Sequence, residues 1–218
     1  MKHFILIACL SAVLMSCGEN ETKDDTVVTT GDTSSTSSKT EGAQDTPVDS
    51  ATMMKNWQAY ATPTDMHKMM ASWNGTWNGK VLQWHKAGME PVTSNATSVN
   101  KMVMGGRYQL GNFSGQMMGM PFEGMSIMAY DNARKVFIST WIDNMGTGLM
   151  TMEGNWDDAT RTMTMSGKMV DPGRGDGREI SARQIYRIVD DRNHVMEMYG
   201  PGDDGKEFKW MEITFTKR

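Results

Sequence analysis

The chain has 218 residues, 22 Lys and Arg against 26 Asp and Glu, a net charge of −4 and only two cysteines. A mildly acidic chain without a basic run excludes phosphate-backbone recognition, which needs clustered cations, so no nucleic-acid partner is expected. A hydrophobic fraction of 39% with 22 glycines suits a loop-rich globular domain, not a coiled coil or a helical membrane bundle.

The N-terminus reads as an export signal. Lys2 and His3 form a short positive region, and Phe4 to Leu14 form an apolar run too short for a permanent spanning helix. The run ends at Leu14-Met15-Ser16-Cys17, which resembles the bacterial lipobox. Cys17 is the expected lipidation site, since its thiol can take a diacylglyceryl thioether and several acyl chains hold a protein stably on a bilayer. Residues 1–16 are then the lipoprotein signal peptide, and the expected location is the bacterial cell envelope. The protein is expected there as a lipid-anchored outer-membrane protein, periplasmic or surface-facing. With Cys9 lost and Cys17 lipidated, the folded part holds no thiol and must rely on core burial.

Residues 17–50 read as the lipidated Cys and a disordered tether. Runs such as Asp32-Thr33-Ser34-Ser35-Thr36-Ser37-Ser38 bury too little apolar surface to offset chain entropy. The domain occupies residues 51–218. Its first part places Met53, Met54, Trp57 and Tyr60, then Met66, Met69, Met70 and Trp73, at helical spacings of three and four. Two short amphipathic helices follow, about 51–60 and 63–72, with Thr62 as cap and Pro63 in the first helical position. Their expected place is over one end of a sheet; a membrane-surface helix is the less favoured reading, because the stretch lacks a basic face.

After Trp73 the pattern is β throughout. Expected strands cover 75–84, 94–104, 106–114, 123–130, 135–142, 148–155, 161–169, 179–189, 194–199 and 206–216, with turn residues between them. Alternation is clean in several. Met163, Met165 and Met169 oppose Thr162, Thr164 and Lys168; Ile180, Ala182, Tyr186 and Ile188 oppose Ser181, Arg183 and Arg187. Such alternation marks antiparallel strands with one buried face, and about ten of them suggest an up-and-down barrel.

Gly75-Thr76-Trp77 on the first strand and Thr216-Lys217-Arg218 on the last resemble the lipocalin-like superfamily. That resemblance implies Trp77 as a structural plug across the barrel floor with Arg218 packed beneath it. A closer resemblance runs over most of 57–218. It rests on Met104-Gly105-Gly106-Arg107-Tyr108, Pro121-Phe122-Glu123-Gly124, Tyr130-Asp131-Asn132-Ala133-Arg134-Lys135 and Ser139-Thr140-Trp141-Ile142-Asp143. Asp171-Pro172, Glu197-Met198-Tyr199 and Lys209-Trp210-Met211-Glu212-Ile213 continue it. In this order they resemble domain-of-unknown-function family 1579 (DUF1579). The implied fold is all-β: an antiparallel lipocalin-like, calycin-type barrel of about ten strands preceded by two short helices. The resemblance implies no chemistry.

Of 24 methionines, only Met1 and Met15 belong to the export segment, while Leu82, Leu110 and Leu149 are the only leucines after it. Pairs such as Met150-x-Met152 and Met163-x-Met165 suit soft metals such as Cu(I). They equally suit a core in which adaptable thioethers stand where leucine usually does, and the scarcity of leucine favours the second reading. His67, His85 and His194 have no metal-ligand spacing. No metal, cofactor or catalytic residue is assigned.

Arg107, Trp141, Asp143, Glu197 and Tyr199 fall within apolar strands or at their ends, and are the candidate ligand-binding set. Arg107 with Asp143 or Glu197 is expected to orient a ligand head near Trp141, or else to form internal or rim ion pairs. The leading expectation is an anchored module whose barrel binds a small hydrophobic or amphipathic ligand. An enzyme, hydrolase or isomerase, using buried polar groups, and a packed structural barrel with an external partner, stay open beside it.

Overall fold

The computed structural model describes residues 47–218. The export segment, Cys17 and nearly all of the tether lie outside the described residues. Two helices, α1 (Ser50–Ala61) and α2 (Asp65–Ser72), precede ten strands. These are β1 (Gly75–Gln83), β2 (Val92–Val103), β3 (Tyr108–Met117), β4 (Met120–Asp131) and β5 (Val136–Asp143), then β6 (Met150–Asp157), β7 (Thr162–Val170), β8 (Glu179–Ile188), β9 (Asn193–Pro201) and β10 (Glu207–Lys217). Each strand pairs antiparallel with its sequence neighbours, and β10 closes on β1, so the sheet is a barrel with no free edge.

Asp49 starts α1, accepting from the amides of Ala51 and Thr52 at 3.0 Å. The second helix begins two residues later than the Thr62-Pro63 pair suggests. Thr62 instead ends α1, its amide donating to the Gln58 carbonyl, and the cap of α2 is Thr64, whose amide donates to His67 Nδ1 at 3.0 Å. The β3–β4 hairpin is also longer than its pattern implies. It turns tightly through Met118 and Gly119, both at positive φ (52° and 79°), and methionine gives little hint of that conformation.

Alternation sorts the wall positions into inward or outward, with a break at the β10 bulge between Lys209 and Met211. The inward face is not filled evenly. Toward the helices it is packed by Trp77, Phe137, Met152, Met163, Met165 and Phe215, all under a tenth exposed. The carbonyls ending α2 are taken by lumenal side chains: Gln109 Nε2 donates to Met70 O at 2.5 Å and Trp77 Nε1 to Trp73 O at 2.9 Å. An α-helix ends with unpartnered carbonyls, so these bonds fasten α2 as the barrel floor. Asn132, buried in the β4–β5 turn, holds α1 by its last turn, donating to the carbonyls of Tyr60 (3.0 Å) and Thr62 (2.8 Å).

Trp77 is 1% exposed and stacks on His194 with ring centroids 4.3 Å apart. The basic residue below it is Lys217, not Arg218. The β1–β10 register sets Trp77 opposite Lys217, whose Nζ lies 5.3 Å from the indole centroid and bonds Ser72 O at 3.1 Å. Arg218, one residue on, falls to the outer face and donates to Asn78 Oδ1 at 2.7 Å. Truncating Trp77 to Ala should cost about 3–5 kcal/mol, as large aromatic deletions in cores do. Denaturant unfolding measures it, and a parent-like midpoint would contradict the floor assignment.

Candidate functional site

At the end of the barrel opposite the helices the inward side chains keep partial exposure, among them Trp141, Asp143, Met150, Met169, Ile180, Met198 and Trp210. Of these, Met150, Met169, Met198 and Trp210 also pack against the core cluster below them. Two indoles lie against the wall there. The Trp141 ring lies over Gly124 and the Trp210 ring over Gly200, so close that a Cβ on either glycine would stand 2.3 Å and 2.0 Å from ring carbons. Glycine at these two positions lets the rings lie flat. Trp141 is further held by Phe122, stacked at 6.3 Å, and by Phe113, edge-on at 6.0 Å.

At the rim, Trp141 Nε1 donates to Asp143 Oδ2 at 2.8 Å, and the Met145 amide donates to Asp143 Oδ1 at 3.0 Å. The carboxylate is thereby fixed at the mouth, where it also borders a concavity of about 510 Å³ on the outer wall, lined by Val99, Glu123, Met125 and Ile142 among others.

The candidate residues meet in two separate pairs, Trp141 with Asp143 and Glu197 with Tyr199, and Arg107 joins neither. Arg107 lies in the β2–β3 turn at the helix end, the far end of the barrel from Trp141 and Asp143; its Nη1 donates to Met104 O at 3.2 Å. Its charge instead reaches His67, whose pKa is lowered first by burial and then by Arg107. Glu197 and Tyr199 face outward, because β9 turns His194, Met196 and Met198 into the lumen and the odd positions away from it. Glu197 accepts from Lys209 Nζ at 3.0 Å and faces Arg187 at 3.5 Å. Tyr199 lies under the Arg183 guanidinium, 4.3 Å from its centroid, while Arg183 pairs with Glu207 at 2.6 Å. Burial, then the Glu197 charge, raises the Tyr199 hydroxyl above its ordinary range. The expected pairing of Arg107 with Asp143 or Glu197 therefore does not occur.

Below the packed floor, a second concavity of about 690 Å³ opens between α2 and the β6–β7 and β8–β9 turns, lined by Trp73, Trp156, Arg161, His194 and Lys217 among others. His194 is the residue that pattern reading underrated. It is 1% exposed, and its Nδ1 lies 2.8 Å from the Tyr186 hydroxyl. Its parity with Met196 and Met198 was the available signal. Burial, then the charge of Lys217, holds the ring down to about pKa 4, and burial raises Tyr186.

The ordinary value for His194 is 6.5. Between that and about pH 4 the unfolded chain carries the extra proton, so stability falls as pH drops through this window, by up to about 3 kcal/mol. Replacing His194 with Phe should flatten that part of the acid sensitivity in urea melts taken from pH 7 to 4. An unchanged pH slope would show that the ring is not held neutral.

A family model described as "Protein of unknown function (DUF1579)" matches residues 62–217. No curated protein matches the chain. Among solved structures, the crystal structure of Rv2717c from M. tuberculosis superposes with a TM-score of 0.53, covering 72% of this chain and 99% of that one at 11% identity. At that identity the likeness concerns the fold alone.

Proposed function

The chain belongs to the DUF1579 family, and from that premise we propose that it is a binding module, anchored through Cys17, whose barrel holds a small amphipathic molecule. The observation that carries this reading is the gradient along the lumen: closed-packed toward the helices, partly exposed toward the mouth. An apolar tail fits among Met150, Met169 and Met198, whose unbranched thioethers repack around varied shapes. The polar end then meets Asp143, so the preferred head is a cation or a hydrogen-bond donor. This replaces the anionic head that an Arg107 site would favour. The enzyme alternative has less support, because Asp143 and Glu197 stand on opposite faces of the wall and cannot act on one substrate.

Titration with dodecylamine and with dodecanol separates the head from the tail. Asp143→Asn should weaken the amine roughly five- to tenfold, on the order of 1 kcal/mol, and leave the alcohol nearly unchanged. If neither amphiphile binds below about 100 μM, roughly −5.5 kcal/mol, the binding reading fails and a packed structural barrel takes its place.

Anchoring is tested separately. Cys17→Ser should release the protein from membranes into the soluble fraction, and full retention of that variant would defeat lipidation at this residue.

A further inference from the structure

We infer that α1 is a lipid-interface helix that sets the barrel floor-down on the membrane, with its mouth turned to the aqueous side. No residue of α1 is buried. Its large side chains, Met53, Met54, Trp57 and Tyr60, are 53% to 69% exposed. Met53, Trp57 and Tyr60 follow at spacings of four and three, so they share one face, and Met54 flanks it. A soluble monomer rarely leaves so continuous an apolar face in water without a partner for it.

The composition of the face names the partner. Trp and Tyr concentrate where one end of a side chain is apolar and the other wet, as at the headgroup level of a bilayer. Here the two rings meet edge to face at 6.3 Å, forming one aromatic block with the methionines beside it. The acid at that end is the cap, Asp49, whose carboxylate is engaged by the amides of Ala51 and Thr52, and the first turn itself adds none. The helix is also the first described element after the segment that runs from Cys17, which ends at its N-terminus. A tether fixed to the bilayer at one end delivers α1 to the surface at a high effective concentration, so a short face suffices where a free helix of this length would bind weakly.

The helix does not swing freely. Asn132 clamps its last carbonyls to the β4–β5 turn, at the same end as α2 and Trp77. Seating α1 therefore orients the barrel: floor toward the lipid, and the rim with Trp141 and Asp143 away from it. Ligand then enters from the aqueous phase and is not drawn directly from the bilayer.

The inference rests on anchoring at Cys17, and the test keeps the two apart. The full mature protein is reconstituted in phosphatidylethanolamine–phosphatidylglycerol vesicles with brominated acyl chains, which quench tryptophans at interface depth. Part of the emission should be quenched, and that part should vanish in Trp57→Phe. Met53→Asp with Met54→Asp should also abolish it while leaving the melting curve of the barrel unchanged, because neither side chain is buried. Equal quenching in wild type and Trp57→Phe, or none in either, would overturn the inference. So would a dimer in sedimentation that shields Trp57, since a second copy would then cover the face. An intact mass without the diacylglyceryl group defeats anchoring alone; the same chain coupled through the Cys17 thiol to a maleimide lipid in the vesicles then decides α1 by the same quenching.

Discussion

The seam between the first and last strands governs the rest of the molecule. Seven paired positions, from Trp77 opposite Lys217 to Gln83 opposite Met211, close the sheet on itself. Once closed, each strand has a fixed parity, interrupted in β10 by the bulge between Lys209 and Met211, and a slip of one residue would exchange lumen for solvent along a whole strand. Parity places Lys217, and not Arg218, under the floor indole. The same rule turns Glu197 and Tyr199 outward while bringing His194, Met196 and Met198 in.

Within that closed wall the two ends differ in how they are filled. At the helix end α2 is bolted down by Gln109 and Trp77, and the lumen is packed to van der Waals contact by Met152, Met163, Met165 and Phe137. At the other end Gly124 and Gly200 allow two indoles to lie flat against the wall, and the inward side chains are only partly buried. Methionine serves both ends. In the floor it fills irregular space as leucine would; at the mouth its flexibility permits repacking.

Much of this was legible in the residues. The strands and the inward set of β7 and β8 follow from period-2 alternation, and closure from their number and the need to leave no free edge. Trp77 as floor residue was legible through the lipocalin-like resemblance of Gly75-Thr76-Trp77. What escaped was whatever depends on register between distant strands. Nothing local distinguishes Lys217 from Arg218 as the partner of Trp77, which depends on the register of β1 with β10. The separation of Arg107 from Asp143 was legible, because the start of the third strand and the end of the fifth lie at opposite ends of an up-and-down barrel. The burial of His194 was readable in principle from its parity. A lone histidine carries little weight, however, until Tyr186 is seen beside it. The exposure of α1 was hidden for a different reason: an amphipathic pattern states that a face is apolar, not what covers it.

The central claim is that the lumen is packed at one end and receptive at the other. Methyl-labelled methionine provides the direct measurement, because thioether probes line both halves. Adding a single-chain amphiphile should shift the methyl resonances of Met150, Met169 and Met198 near the mouth. Those of Met163 and Met165 in the floor should stay in place. Shifts confined to the outer-wall methionines, or no saturable shift in any of them, would contradict the account.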